Sequence, residues 1–175
     1  LAGLIASAWG GLGPVYATQL GLSTTEGATM LAIAMVGGAI FQYPLGRASD
    51  RMDRRRVMIF AGIIGILACV ITLIFGVENR IIFFAGMMFL GTVLFPIYSL
   101  NVAHANDHAA PEDYVHVSSG LLMVYGVGAV IGPRLAGEVM ERLGPAGLFF
   151  YIGGVYGLVG LYGLWRMTRR AYPPR

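Results

Sequence analysis

The chain has 175 residues, 57% of them hydrophobic and only 12% charged. Soluble domains carry about 25% charged residues, so this composition excludes an ordinary water-exposed globule and implies a polytopic membrane protein. All twelve basic residues are arginine, giving a formal net charge of +3; they cluster at the ends of apolar runs, with no aromatic-interleaved basic face, which excludes a nucleic-acid binder.

Six apolar segments approach the roughly 20 residues needed to span a bilayer: Leu1–Leu20, Gly27–Leu45, Val57–Val77, Ile81–Ala103, Val115–Gly137 and Ala146–Met167. Each must be helical, because lipid offers no partner for free backbone N–H and C=O groups. The alternating segments of about ten residues expected of a membrane barrel do not occur. The expected fold class is all-α, a single domain over residues 1–175 made of six transmembrane helices. The glycines lie inside the spans, where small residues let helices approach closely.

In chain order, the first span carries Ser7, Trp9, Tyr16 and Gln19 and a Gly10-Gly11-x-Gly13-Pro14 cluster that should bend it. Ser23-Thr24-Thr25-Glu26 reads as a helix start, with a hydroxyl cap and an early carboxylate. Gln42 and Tyr43 precede the most informative stretch, Gly46-Arg47-Ala48-Ser49-Asp50-Arg51-Met52-Asp53-Arg54-Arg55-Arg56, a basic hinge read as a loop over 46–56, with Gly46 allowing a sharp exit from the span. Cys69 is mid-span and reads as a small core residue. Glu78-Asn79-Arg80 is a tight turn. The fourth span offers Pro96, Tyr98, Ser99 and Asn101.

The segment 104–114 reads as a polar loop. His104 and His108 stand four residues apart, yet the flanking Asn106, Asp107 and Pro111 fit a loop and helix start better than a metal site, and no metal is expected. Asp107 or Asp113 could pair with hinge arginines. In the fifth span Arg134 is a costly intramembrane charge; Glu138, four residues on, offers a local ion pair, and an anionic substrate is the alternative. The sixth span spaces Gly154, Gly157, Gly160 and Gly163 by three, a smooth packing stripe, while Tyr151, Tyr156, Tyr162 and Trp165 read as an interfacial aromatic belt. A tail covers 168–175.

With six spans, one side collects nine arginines, five in the hinge and four in the tail, against Arg80 and Arg142 on the other. The positive-inside rule places the hinge and the C-terminus of this integral membrane protein in the cytoplasm.

Two motifs carry a family resemblance. The hinge, Gly-Arg-x-Ser-Asp-Arg-x-x-Arg-Arg-Arg, resembles the cytoplasmic signature of the major facilitator superfamily, Gly-x-Leu-Ala-Asp-Arg-x-Gly-Arg-Arg/Lys. Ala48 replaces the usual Leu, and Asp53 the usual Gly of a tight turn. Gly128-Ala-Val-Ile-Gly132-Pro133-Arg134-Leu135-Ala136-Gly137 resembles the superfamily's Gly-x-x-x-Gly-Pro-x-x-Gly-Gly element, with Ala136 at the first of the last two glycines. The run from Phe95 to His108, followed by Ser118-Ser119-Gly120-Leu121-Leu122, is similar to a bacterial YcaD-like branch.

The resemblance implies one half of a twelve-helix secondary transporter of the bacterial inner membrane, the C-terminal half, partnered by an N-terminal half. It implies a gating role for Gly46, Arg47, Asp50, Arg51, Arg54 and Arg55, with the partner of Asp50 on the other half. Gly128, Gly132, Pro133 and Gly137 would bend the fifth helix. Trp9, Tyr16, Gln42, Tyr98, Ser99 and Asn101 would face a substrate cavity, with Arg134 as a charge site. The partners implied are a small-molecule substrate, the lipid bilayer and the other half, with no cofactor. Asp, Glu and His are absent from the span centres, so a proton carrier, if coupling uses one, belongs to the first half. No nucleophile–base constellation or phosphate loop appears, so an enzyme is not expected. The competing expectation is a six-span sensor or scaffold, or a dimeric half-transporter.

Overall fold

The computed structural model describes residues 1–76, 78–107 and 109–169. Seven α-helices follow one another: α1 Ala2–Gln19, α2 Thr24–Arg51, α3 Arg54–Phe75, α4 Arg80–Leu94, α5 Pro96–Asn106, α6 Tyr114–Leu143 and α7 Gly147–Arg169, with a 3₁₀ turn over Pro111–Asp113 before α6. No strand occurs among the described residues. α4 and α5 are two segments of one apolar span, Arg80–Asn106, so the molecule is a bundle of six helices. Five are long and apolar enough to cross a membrane; the 18-residue α1, continuous through Pro14, is not among them.

The helix starts are written locally. Ser23 accepts the Glu26 N–H while Glu26 accepts the Ser23 N–H at 2.9 Å, a reciprocal capping box for α2. The Asn79 side chain accepts from the N–H groups of Ile81 and Ile82 at 2.9 and 3.2 Å, capping α4. The division at Phe95 follows from Pro96, which has no N–H to offer the carbonyl four residues back.

Several expected boundaries move. α2 runs through Gly46 and Asp50 to Arg51, so the hinge is two helix ends joined through Met52 and Asp53 rather than a loop, and Gly46 is helical rather than an exit. Asp53 keeps φ at −60° and caps α3, donating nothing but accepting the Arg55 N–H at 2.9 Å. The tight glycine turn is replaced by an Asx cap, which needs no left-handed backbone. α5 continues to Asn106 and α6 to Leu143, shortening the connections expected at 104–114 and 138–145. α7 reaches Arg169; the rest of the 168–175 tail, like His108, lies outside the described residues.

The six helices pack mainly in three pairs: α1 on α6, α2 on α4, and α3 on α7. Glycines bring them together. A Cβ on Gly3 would overlap the Tyr125 carbonyl oxygen and lie 3.1 Å from the Ala129 nitrogen. A Cβ on Gly91 would overlap the Ala34 carbonyl oxygen, and one on Gly38 would lie 3.1 Å from the Gly91 oxygen. Thus residues 34 and 38 on α2 stand to Gly91 on α4 as 125 and 129 on α6 stand to Gly3 on α1, a spacing of 91 residues from α2 to α6 (34 to 125, 38 to 129) and of 88 from α1 to α4 (3 to 91). α3 and α7 pack on each other in antiparallel order. A Cβ on Gly62 would lie 3.3 Å from the Gly160 nitrogen, and one on Gly153 would lie 3.7 Å from the Cys69 Cβ. Gly65 lies under the ring of Tyr156. The bundle is therefore two three-helix units, α1–α3 and α4–α7, related as inverted repeats.

The core contains Ile5, Trp9, Tyr16, Met30, Met87, Leu90, Phe149 and Ile152. Cys69 is buried within it, as expected. Tyr156 is not interfacial: it is fully buried against Gly65, while Tyr162 and Trp165 are exposed and lie 6.0 Å apart between ring centroids. The glycine stripe of the sixth span is also only partly a contact face, since Gly163 meets Ile59 and the Gly160 backbone meets Gly62, but a Cβ on Gly154 would meet open space.

Candidate gating site and substrate-facing surface

The hinge residues converge on Arg54. At the first position of α3, its guanidinium reaches back to the last turns of α2, donating to Ser49 Oγ at 3.0 Å and pairing with Asp50 Oδ1 at 3.3 Å. It also pairs through Nε with Asp107 Oδ2 at 2.5 Å, just beyond the end of α5. One side chain thus ties three segments: the end of α2, the start of α3 and the end of α5. The planar guanidinium suits this because its donors point in fixed, divergent directions. Of the two acids expected to meet the hinge, the structure pairs Asp107.

Arg54 is mostly covered, with 18% of its side chain accessible, whereas Asp50 is 69% accessible. Asp50 therefore keeps most of its carboxylate available beyond the bundle. Arg47 donates to Tyr43 Oη at 3.1 Å on the exposed face of α2. Arg51 is exposed and Arg55 buried. A Cβ on Gly46 would meet open space, so nothing inside this bundle requires glycine there.

Next to Asp50 and Arg54 lies a cavity of about 160 Å³, lined by Gln42, Gly46, Ser49, Pro96, Ser99, Leu100 and Ala103 as well. A second, more open cavity of about 380 Å³ lies between α5 and α6, lined by Tyr98, Tyr114, Val115, Ser118, Ser119 and Leu122. Tyr98 packs edge-on against Tyr125 at 5.0 Å. Of the residues expected to face substrate, Gln42, Tyr98 and Ser99 line these cavities, and Asn101 is half-buried on α5. Trp9 and Tyr16 are inside the bundle at 3% and 4% exposure, with Phe149 6.4 and 4.9 Å away between ring centroids. The sequence signal that could have placed them is weak: both fall on the face of α1 that also carries Ala2, Ile5 and Gly13. Ser118 and Ser119, which border the larger cavity, were quoted in the sequence only as part of a run.

The fifth-span motif works as a packing face. A Cβ on Gly128 would lie 3.1 Å from the Leu4 nitrogen, and one on Gly132 would lie 2.5 Å from the Leu4 oxygen. Pro133 lies inside the continuous α6 and contacts α1 at Gly11, while Gly137 faces open space. Arg134 pairs with Glu138 at 3.8 Å, the expected local pair, and projects from the bundle with its side chain 83% accessible. On the side away from the hinge, Arg80 at the start of α4 pairs with Glu26 at the start of α2.

The sequence matches the family model for the Major Facilitator Superfamily over residues 1–175. Among curated relatives, it is 31% identical over 155 residues to the uncharacterized MFS-type transporter YfkF of Bacillus subtilis, covering 86% of this chain and 38% of that protein. It is 28% identical over 158 residues to an uncharacterized MFS-type transporter of Yersinia pestis (89% and 39%), and 25% identical to YcaD of Escherichia fergusonii over the same length. The chain thus spans about two-fifths of the length of these relatives. The helical pairing, the hinge and the whole-length match agree, and the chain belongs to the major facilitator superfamily.

Proposed function

We infer that this chain forms the second six-helix half of a secondary transporter of the bacterial plasma membrane, moving a small solute by alternating access. The carrying observation is the hinge: Arg54 fixes the α2 end on Ser49, Asp50 and Asp107, while Asp50 keeps most of its carboxylate turned outward. A carboxylate held this way acts as a latch for a group on another helix. The other half supplies that helix. Support comes from the relatives, whose length exceeds this chain's by more than half, and from α2 and α6, whose exposed faces carry Gly46, Gly120, Gly126 and Gly137 with open space above them. Lipid has no use for such smooth positions, whereas a facing helix does.

In this reading the hinge and the α7 end face the cytoplasm, following the arginine asymmetry. Gln42, Tyr98, Ser99 and Asn101 line the path of the solute, Trp9 and Tyr16 brace α1 from behind, and Arg134 stands on the face of α6 turned toward the other half. Protein chemistry here is binding and gating, without a covalent step.

The test uses the full-length protein in vesicles, with fluxes of a panel of small solutes. Asp50→Asn is expected to insert at the wild-type level and to lose at least about tenfold of whichever flux the wild type carries, the loss of one charge-assisted contact of about 1.5–3 kcal/mol. Unchanged flux in Asp50→Asn would refute the latch.

A further inference from the structure

The inverted repeat carries more than packing. Its 91-residue spacing between α2 and α6, read from the glycine contacts of those two helices with α4 and α1, places the end of α6 in register with the hinge. Gly46 maps to Gly137, Asp50 to Glu141, Arg51 to Arg142 and Met52 to Leu143. Glycine, acid and arginine recur in the same order on the opposite end of the bundle, although none of these positions entered the derivation of the spacing.

The backbone agrees independently. α2 ends at Arg51 and α6 at Leu143, which is one position later in register. Asp53 then corresponds to Gly144, and Gly144 has φ +71° and ψ −163°, a backbone open to glycine that Asp53 at φ −60° does not adopt. The basic run diverges: Pro145, Ala146 and Gly147 stand where the hinge has Arg54, Arg55 and Arg56. Loss of those arginines is required of a copy on the less positive side. Glu141 and Arg142 are exposed and make no ion pair among the described residues, whereas neighbouring Glu138 is occupied by Arg134.

We propose that Gly137–Gly144 is a second latch, the inverted counterpart of the hinge, which closes the outward side by engaging a basic side chain of the other half through Glu141. The proposal rests on the transporter reading above. Asp50 and Glu141 then act in opposition: the first holds the cytoplasmic side shut, the second the outward side. Lacking an equivalent of the Arg54 clamp, the outward latch is the weaker of the two.

The experiment labels a cysteine on the exposed face of α1, the helix that the family resemblance places along the solute path, in full-length protein with no other reactive cysteine. Gly10 is exposed with nothing within 4 Å of a Cβ, so Gly10→Cys fits without strain, and native Cys69 is buried. A membrane-impermeant maleimide is applied to the outer face of right-side-out vesicles and to the cytoplasmic face of inverted ones. Glu141→Gln is expected to raise labelling from the outer face about fivefold and to lower it from the cytoplasmic face. Asp50→Asn is expected to do the reverse, and Glu141→Asp to stay at the wild-type level. Arg142→Gln serves as the second outward variant should Glu141→Gln insert poorly. A response to Asp50→Asn with none to Glu141→Gln or Arg142→Gln overturns the second latch and leaves the first. No response to any of them overturns both.

Discussion

Replacing Gly91 by alanine probes the contact on which the α2–α4 pair depends. A Cβ there would lie 2.7 Å from the Ala34 carbonyl carbon and 2.9 Å from its Cα, and closer still to its oxygen. Carbon atoms in contact prefer about 3.5–4.0 Å, so the two helices must part by about 1 Å. The obstacle is backbone and has no rotamer to escape into. A gap of that size forfeits about a quarter to a half of the dispersion well of each facing atom pair along the seam, and overpacking of this kind costs about 1–3 kcal/mol. The gain in helix propensity from glycine to alanine offsets about 1 kcal/mol, leaving a net loss of about 1 kcal/mol. Gly154 on α7 is the control, because it faces open space and Gly154→Ala keeps only the propensity gain. Thermal unfolding of the purified full-length protein in detergent should show Gly91→Ala melting about 2–4 °C below wild type. Gly3→Ala, at the repeat-related contact, should behave alike. A Gly91→Ala protein that melts at or above the Gly154→Ala protein would refute the close-packed seam and with it the register drawn from it.

Two further outcomes test the hinge and the core. Arg54→Gln should abolish the tie between α2, α3 and α5 and depress transport at least as much as Asp50→Asn, since Ser49, Asp50 and Asp107 all lose their partner; wild-type flux would show the cluster to be inert. Tyr156→Phe should leave the melting temperature unchanged or raise it, because the Tyr156 hydroxyl is buried with no hydrogen-bond partner among the described residues and its removal relieves a desolvated polar group; a fall of several degrees would mean that the hydroxyl is bonded.

Much of the scaffold was legible from residue chemistry. Ser23 and Glu26 announced the α2 start, Asp107 announced a partner for the hinge, and Arg134 with Glu138 announced a local pair, because each of these acts across a few residues or across facing connections. The hinge itself was misjudged as a loop for a physical reason. Charge density marks where a chain leaves lipid, but a helix does not stop there, and α2 continues in water until Asp53 offers α3 a cap. Residue type alone suggests the interface for Tyr156, and the family resemblance suggests the cavity for Trp9. Both are enclosed because glycines or aromatics on other helices make room for them: Gly65 for Tyr156 and Phe149 for Trp9. Such pairings are long-range, and a hydropathy window has no access to them.

The 91-residue spacing has a consequence for how the molecule acquires an up and a down. Two triplets that exchange places under a half-turn make a body whose shape is nearly blind to that operation. A translocation machinery reading only helix length and apolarity would find both insertions degenerate. The degeneracy is lifted by what differs between the copies, and the largest difference is Arg54-Arg55-Arg56 against Pro145-Ala146-Gly147. The run that begins with Arg54, which holds Ser49, Asp50 and Asp107 together, thus carries the charge that distinguishes the two ends of the bundle.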